Sequence, residues 1–163
     1  MDYNYLVLAH VLGVVIFAAG HGISMALIAL MRRERSAERL RAMLDMSLGG
    51  LIATYAGLLV IIASGIWLGF AGDYWGQGWL WTAIAILVAI MALMMFNGVT
   101  YFSRIREAVG LQPYRFTSQV TLGPVASDAE IAALVQSPRA GQTMSLGTLA
   151  LIAILVLMVL KPF

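Results

Sequence analysis

Four long apolar runs constrain this chain more than any other feature. They cover residues 4–31, 48–70, 80–102 and 144–160, and they contain no Asp, Glu, Lys or Arg. A helix needs about 20 mainly apolar residues to cross the ~30 Å hydrocarbon core of a bilayer. Only 11% of the residues are charged, whereas a soluble domain carries about 25%. The pattern predicts a single all-α domain, an integral membrane bundle of four antiparallel helices in contact with lipid.

The arginines predict how the bundle is oriented. Nine of them lie in the segments 32–47 and 103–143, and the segment 71–79 contains no basic residue. Short loops rich in Lys and Arg stay in the cytoplasm. We therefore predict that segments 32–47 and 103–143 are cytoplasmic and that both termini lie on the non-cytoplasmic side. A second interpretation of the five arginines within residues 32–41 is a site for anionic lipid or phosphate.

The long polar segment contains one local helix signal. Ser127 and Glu130 have the spacing of a capping box, in which each side chain bonds the backbone N–H of the other residue. An apolar stripe follows at Ile131, Leu134 and Val135. We therefore expect a short surface helix over residues 128–136, lying against the membrane or against the bundle.

Both histidines of the protein lie in the first apolar run. His10 and His21 are eleven residues apart, which in a helix is about 20° past three full turns and about 16 Å along the axis. They therefore share one helix face, and Gly13 and Gly20 lie close to it. An ionisable residue inside a membrane span indicates a functional site, and small residues mark where a backbone or a flat ligand comes close.

Imidazole on a small-residue face is typical of haem ligation. We predict a haem b site with His10 as the first candidate metal ligand, His21 as the second, and room for the macrocycle at Gly13 and Gly20. The other three runs contain no histidine, so one chain cannot place two imidazoles on one iron. The second axial ligand would be a methionine, would be absent, or would be His10 of a second copy. The alternative is that each histidine only bonds a neighbouring helix.

Small residues in the second run predict where the helices pack. One face carries Gly50, Thr54, Gly57 and Ser64. We expect this face to lie against the first run, with a cofactor or dimer contact as the alternative. Gly65 and Gly69 form a GxxxG motif, which is typical of close helix packing in membranes.

The third run ends in a polar stripe. Its members recur at i, i+3, i+4 and i+7, the spacing of one helix face: Asn97, Thr100, Tyr101 and Arg104. We expect Asn97 to bond a neighbouring helix, with a substrate as the alternative partner. Three methionines come just before the stripe, and they either fill gaps in the core or bind copper: Met91, Met94 and Met95.

The sequence lacks the residues that several kinds of chemistry require. The chain contains no cysteine, which excludes disulfides and thiolate metal sites. The motifs of nucleotide-binding proteins and common hydrolases are absent. The apolar runs contain no carboxylate, so an acid-based proton pathway through them has no carrier. The basic segments are short and tied to the membrane, so we expect no nucleic acid partner.

Four short stretches carry a resemblance to known proteins: residues 5–13 (YLVLAHVLG), 17–20 (FAAG), 78–81 (GWLW) and 159–163 (VLKPF). Together they resemble a bacterial family of predicted four-helix membrane proteins of unknown function. That family is similar to the copper-resistance D proteins and to the four-helix protoporphyrinogen oxidase of haem synthesis.

The resemblance implies haem binding at His10, which matches a haem-binding histidine in the first span of the oxidase group. Two departures concern the oxidase reaction. Residues 21–27 (HGISMAL) replace a basic segment containing arginine, and Asn97 stands where the group has a histidine. The resemblance therefore implies haem binding without implying the oxidase reaction.

These observations lead to three functional hypotheses for a multi-pass protein of the bacterial inner (plasma) membrane. The first is a haem-binding or redox-associated protein acting through the first helix. The second is a non-catalytic accessory subunit, packed by its glycine faces into a homo-oligomer or a larger complex. The third is a component of a metal transporter. Whether the protein is an enzyme stays open.

Overall fold

The computed structural model describes residues 2–114 and 121–162, in which the chain is helical apart from turns and short links. The helices are α1 (Tyr3–Met31), α2 (Ala37–Ala71), α3 (Gly78–Met94), α4 (Thr100–Ala108), α5 (Asp128–Val135) and α6 (Pro138–Leu160). A 3₁₀ turn covers Tyr74–Gly76, and a π-helical turn at Met95–Val99 joins α3 to α4. Four helical segments are long and apolar enough to cross a membrane. The predicted all-α, four-helix membrane protein is confirmed.

Local hydrogen bonds extend α2 well beyond its apolar run. The helix begins at Ala37 because the Ser36 hydroxyl oxygen accepts a bond from the backbone N–H of Arg39. The Glu34 carboxylate accepts bonds from the N–H groups of Ser36 (2.9 Å) and Arg35 (2.8 Å). These two donors lower the pKa of the Glu34 carboxyl. Much of the predicted loop 32–47 is therefore the first part of α2.

The capping box at the start of α5 is confirmed. The Ser127 hydroxyl oxygen accepts from the Glu130 N–H, and the Glu130 carboxylate accepts from the Ser127 N–H at 2.9 Å. Ile131 and Val135 are buried, and the Tyr101 hydroxyl donates to the Val135 carbonyl at 3.1 Å. We expected α5 to lie against the membrane or against the bundle, and it lies against the bundle.

Glycines bring α1 and α2 into close antiparallel contact. A Cβ atom added at Gly20 would lie 2.5 Å from Thr54 Oγ1 and 2.6 Å from the Gly50 carbonyl oxygen. A Cβ atom added at Gly57 would collide with the backbone of Phe17. Small residues let two backbones approach in this way inside a bilayer. The two helices therefore form a hairpin with a tightly packed middle.

Helix α6 lies between α1 and α3 and runs antiparallel to both. On the α1 side, Thr148 contacts His21, and Ser137, just before α6, accepts a bond from Arg32, just after α1. On the other side, Met144 lies against Gly98 in the π-helical turn. The bundle thus consists of neighbouring antiparallel pairs, with α6 joining the α1–α2 hairpin to α3.

The main hydrophobic core lies at one end of the bundle, where segments 32–47 and 103–143 meet. Its buried members come from all six helices except α3, and from the turn after α4: Ile28, Met31, Leu40, Leu44, Phe102, Ile105, Val109, Ile131, Val135, Ala140 and Met144. We call this the basic end, because eight of the nine arginines lie here, and Arg115 lies outside the described residues. The core holds the short helices α4 and α5 against the ends of the long ones.

One buried arginine joins the elements at this basic end. Arg106 donates through Nη1 to the Leu44 carbonyl at 2.9 Å and through Nε to the Gln112 carbonyl at 2.6 Å. Its Nη1 also lies 3.1 Å from the Asp45 carboxylate. Buried cations need such partners, because an unpaired charge away from water is very costly. Arg106 therefore ties α2 to α4 and to the turn after it.

Aromatic residues and Lys161 join the elements at the opposite end. The Lys161 ammonium group donates to the Tyr74 hydroxyl at 3.0 Å, and the Tyr3 hydroxyl lies 3.1 Å from the same oxygen. Trp79 is only 3% exposed, whereas Trp81 is 55% exposed. Trp79 is therefore a packing residue at this end of the bundle.

We expect Gly57→Ala to destabilise the protein, because the new methyl group would meet the Phe17 backbone. Overpacking of this kind costs about 1–3 kcal/mol, which thermal unfolding in detergent would record as a lower Tm. Gly49→Ala is the matched control in the same helix, since a Cβ atom there meets nothing within 4 Å. Equal melting temperatures for the two variants would contradict the close contact between α1 and α2.

Candidate functional site

His10 lies half-buried on α1 and contacts α2. Its Nδ1 atom is 3.0 Å from the Ser64 hydroxyl oxygen. A Cβ atom added at the adjacent Gly65 would lie 3.2 Å from His10 Cε1. The glycine thus lets the imidazole ring lie against α2, and Ser64 holds one edge of the ring.

The hydrogen bonds of Ser64 determine which nitrogen of His10 carries the proton. The Ser64 hydroxyl has a single hydrogen, and its oxygen lies 2.5 Å from the Val60 carbonyl, which can only accept. This short contact favours donation from Ser64 to Val60, and in that arrangement His10 Nδ1–H donates to Ser64. In a neutral imidazole the other nitrogen, Nε2, then carries a lone pair. This is the tautomer in which His10 can act as a ligand through Nε2.

Helix α2 fills the space that we expected a macrocycle to use. A Cβ atom at Gly13 would lie 3.0 Å from Val60 Cγ1, and one at Gly20 would lie 2.5 Å from Thr54 Oγ1. The expectation that Gly13 and Gly20 leave room for a flat cofactor is therefore wrong. Both are packing residues that admit α2, and a haem bound at His10 cannot use them as its cradle.

The four glycines assigned to packing contact different partners. Gly50 and Gly57 lie against α1, on the face where we expected that helix. Gly65 faces the His10 ring, and a Cβ atom at Gly69 would lie 2.8 Å from the Trp75 ring. The GxxxG motif therefore receives two ring side chains and not the backbone of another helix.

His21 is buried and bonds α6, not α2. Its Nε2 atom lies 3.0 Å from the Thr148 hydroxyl oxygen. The same hydroxyl lies 3.2 Å from Met25 Sδ and 3.2 Å from the Met144 carbonyl. The two histidines share a face of α1 but contact different helices at different heights. Each bonds a neighbouring helix, which is the arrangement of the alternative hypothesis.

A second methionine lies close to His21. A Cβ atom added at Gly147 would lie 3.0 Å from His21 Cε1 and 3.2 Å from Met94 Sδ. The imidazole and this thioether therefore meet over the same point of α6, on the turn that carries Thr148. Met95, predicted to cluster with Met94, is instead 50% exposed. One imidazole and two thioethers, from His21, Met25 and Met94, thus surround residues 147–148.

The polar stripe predicted near the end of the third run does not form one site. The Asn97 side chain donates to the Leu93 carbonyl of its own helix at 3.1 Å, so the expected bond to a neighbouring helix is wrong. Thr100 and Arg104 are exposed, whereas Tyr101 bonds α5. The π-helical turn closes i→i+5 bonds, so the residues around it lose the α-helical spacing on which the stripe was predicted.

Three members of the His21 cluster were not singled out from the sequence: Met25, Gly147 and Thr148. Thr148 carries the one available signal, because it is a polar residue inside an apolar run. Within residues 2–114 and 121–162, no group of three or more His, Cys, Asp or Glu residues is placed to hold a metal. The metal-ligating atoms that the described bundle offers in its apolar helices are imidazole nitrogen and thioether sulfur.

We expect Thr148→Val to destabilise the bundle, because it removes the hydroxyl shared by His21 and Met25. Interhelical hydrogen bonds inside membranes are worth about 0.6 kcal/mol on average and about 1.7 at most. Unfolding of the detergent-solubilised protein would measure the loss. Thr82→Val is the control, since the Thr82 hydroxyl bonds only the Gly78 carbonyl of its own helix. If both variants lose the same stability, the His21–Thr148 contact is not an interhelical tie.

Comparisons with protein-family models, with curated proteins and with solved structures found no match to this chain. The contacts of His10 and His21 are therefore the observations that bear most directly on function.

Proposed function

We propose that this polytopic membrane protein binds haem b through His10 and takes part in electron transfer. One observation carries the proposal: Ser64 holds Nδ1–H of His10, and this leaves the Nε2 lone pair for a metal. A histidine that binds a metal almost always donates its other ring N–H to an oxygen, which sets the tautomer and the ring orientation. Ser64 provides that oxygen and is itself held by Val60.

The donor set fits one axial position of a haem iron in each chain. His21 lies three helical turns away and bonds α6, so it cannot share an iron with His10. His10 would thus hold the haem alone, together with a methionine, or together with His10 of a second copy. When bound, haem supplies a one-electron redox couple tuned by its axial ligands. The chain contributes the oriented imidazole, and Ser64 raises its basicity as a ligand.

We expect the purified protein to show a Soret band and a reduced-minus-oxidised difference spectrum, and His10→Ala to abolish both. His21→Ala is the matched control and should keep the bands, since it removes the other membrane histidine. Ser64→Ala should weaken haem retention about 10- to 100-fold, because the ring loses its orienting partner. One haem per two chains would indicate that His10 of two copies holds one haem, and one haem per chain would exclude that arrangement.

Two outcomes would refute haem binding at His10. One is a colourless protein even after haem is supplied during expression and again after purification. The other is an unchanged Soret band in His10→Ala. A folded protein that binds neither haem nor metal would favour the accessory-subunit hypothesis.

A second candidate function, binding of monovalent copper as part of metal transport, is favoured by the His21 cluster. Thioether sulfur is a soft ligand that selects Cu(I), and imidazole also binds copper. His21 and Met25 contact the same Thr148 hydroxyl, and Met94 meets the His21 ring over Gly147. These three donors come from α1 and α3, and they meet on α6 inside the bundle.

We expect the purified protein to bind one Cu(I) per chain in competition with a chromophoric Cu(I) chelator under anaerobic, reducing conditions. His21→Leu, Met25→Leu and Met94→Leu should each weaken binding at least about tenfold. Leucine nearly preserves the volume of methionine, so the core should tolerate the exchange. Met95→Leu is the control, because Met95 is 50% exposed. Equal affinities for Met25→Leu and Met95→Leu would exclude this site.

A further inference from the structure

An open groove of about 690 Å³ lies beside α6 at the basic end of the bundle. Neither candidate site described above includes it. Its lining changes in character along the helix, from Arg32, Gly141, Gln142 and Ser145 to Leu146 and Leu149. The two ends of the groove therefore suit different parts of one ligand.

The polar end of the groove contains a cation with donors to spare. Arg32 Nη2 donates to the Ser137 carbonyl at 2.9 Å. Its Nε atom is buried, so a ligand would bind the terminal N–H groups, and Nη1 donates to no described residue. A guanidinium carries five N–H donors in a planar fork that matches phosphate oxygens. The lining contains no carboxylate to neutralise this charge.

The apolar end of the groove faces the hydrocarbon region. Leu146 is 50% exposed and Leu149 is 63% exposed, and both belong to the apolar part of α6. The distance along the helix from Gly141 to Leu149 is about 12 Å at 1.5 Å per residue. Within that distance the surface passes from a guanidinium to the exposed leucines of a helix that is apolar enough to cross a membrane.

We propose that this groove is a binding site for an anionic phospholipid, with its phosphate at Arg32 and an acyl chain along Leu146 and Leu149. The groove passes from a cationic end to an apolar end, which matches the order of phosphate and acyl chain in such a lipid. The five arginines between residues 32 and 41 add attraction for an anionic leaflet. Free phosphate would use only the polar end, whereas a phospholipid fills both ends. The proposal does not depend on haem or copper binding.

Native mass spectrometry of the delipidated full-length protein, with an equimolar mixture of phosphatidylglycerol and phosphatidylcholine, tests the site. The wild-type protein should retain phosphatidylglycerol preferentially. Arg32→Gln should reduce this preference about fivefold, the effect of one interfacial basic residue. Arg33→Gln is the matched control and should reduce the preference less than Arg32→Gln does, because Arg33 is exposed and lies outside the groove.

A second variant tests the groove without changing its charge. Gly141→Leu places a side chain where a Cβ atom already comes within 3.1 Å of Arg32 Nη2, so it fills the polar end. It should also reduce the preference for phosphatidylglycerol. If Arg32→Gln does not fold, this variant tests the proposal on its own.

Three outcomes would overturn the proposal. The first is no preference for phosphatidylglycerol in the wild-type protein. The second is an equal loss of preference in Arg32→Gln and Arg33→Gln, which would indicate general surface charge. The third is complete displacement of phosphatidylglycerol by excess inorganic phosphate, which would indicate a phosphate site without an acyl component.

Discussion

The structure depends on one constraint of the bilayer interior: every polar group in it must find a partner within the protein. The hydrocarbon region offers no water, and an unsatisfied polar group there costs several kcal/mol. The two imidazoles of α1 meet this requirement on opposite neighbours, His10 on Ser64 of α2 and His21 on Thr148 of α6. These two bonds join α1 to both of its partners. They also determine which ring atoms remain for chemistry.

Close packing of α1 and α2 decides where a ligand could bind. Gly20 and Gly57 bring the two backbones into contact, so the middle of the hairpin has no room for a cofactor. The same close approach places Ser64 beside His10 and orients the ring. Gly13 and Gly20 therefore have the opposite effect to the one we predicted, whereas Gly50 and Gly57 pack against α1 as predicted. The close packing of α1 and α2 removes the space for a ligand. It also places Ser64 beside His10, which favours one tautomer of that histidine.

The two ends of the bundle differ in how they are held together. At the basic end, the hydrophobic core and the buried Arg106 join α2, α4 and the turn that follows α4. At the other end, Lys161 and Tyr74 join the last helix to the turn between α2 and α3. The groove at Arg32 lies at the more firmly packed end. Its guanidinium is held at one atom by Ser137 and keeps donors for a ligand.

The sequence by itself determined the elements: four apolar runs predicted four membrane helices, and Ser127 with Glu130 predicted the start of α5. These signals are local, because hydropathy and capping depend on residues close together in the chain. Only the tertiary structure decided the site. A shared face on α1 does not show that one histidine meets α2 and the other α6. Nor does it show that Met25 meets Thr148 while Met94 lies over Gly147. Those contacts depend on the rotation of each helix about its axis and on its position along the bundle. Both are fixed only when all four helices pack together.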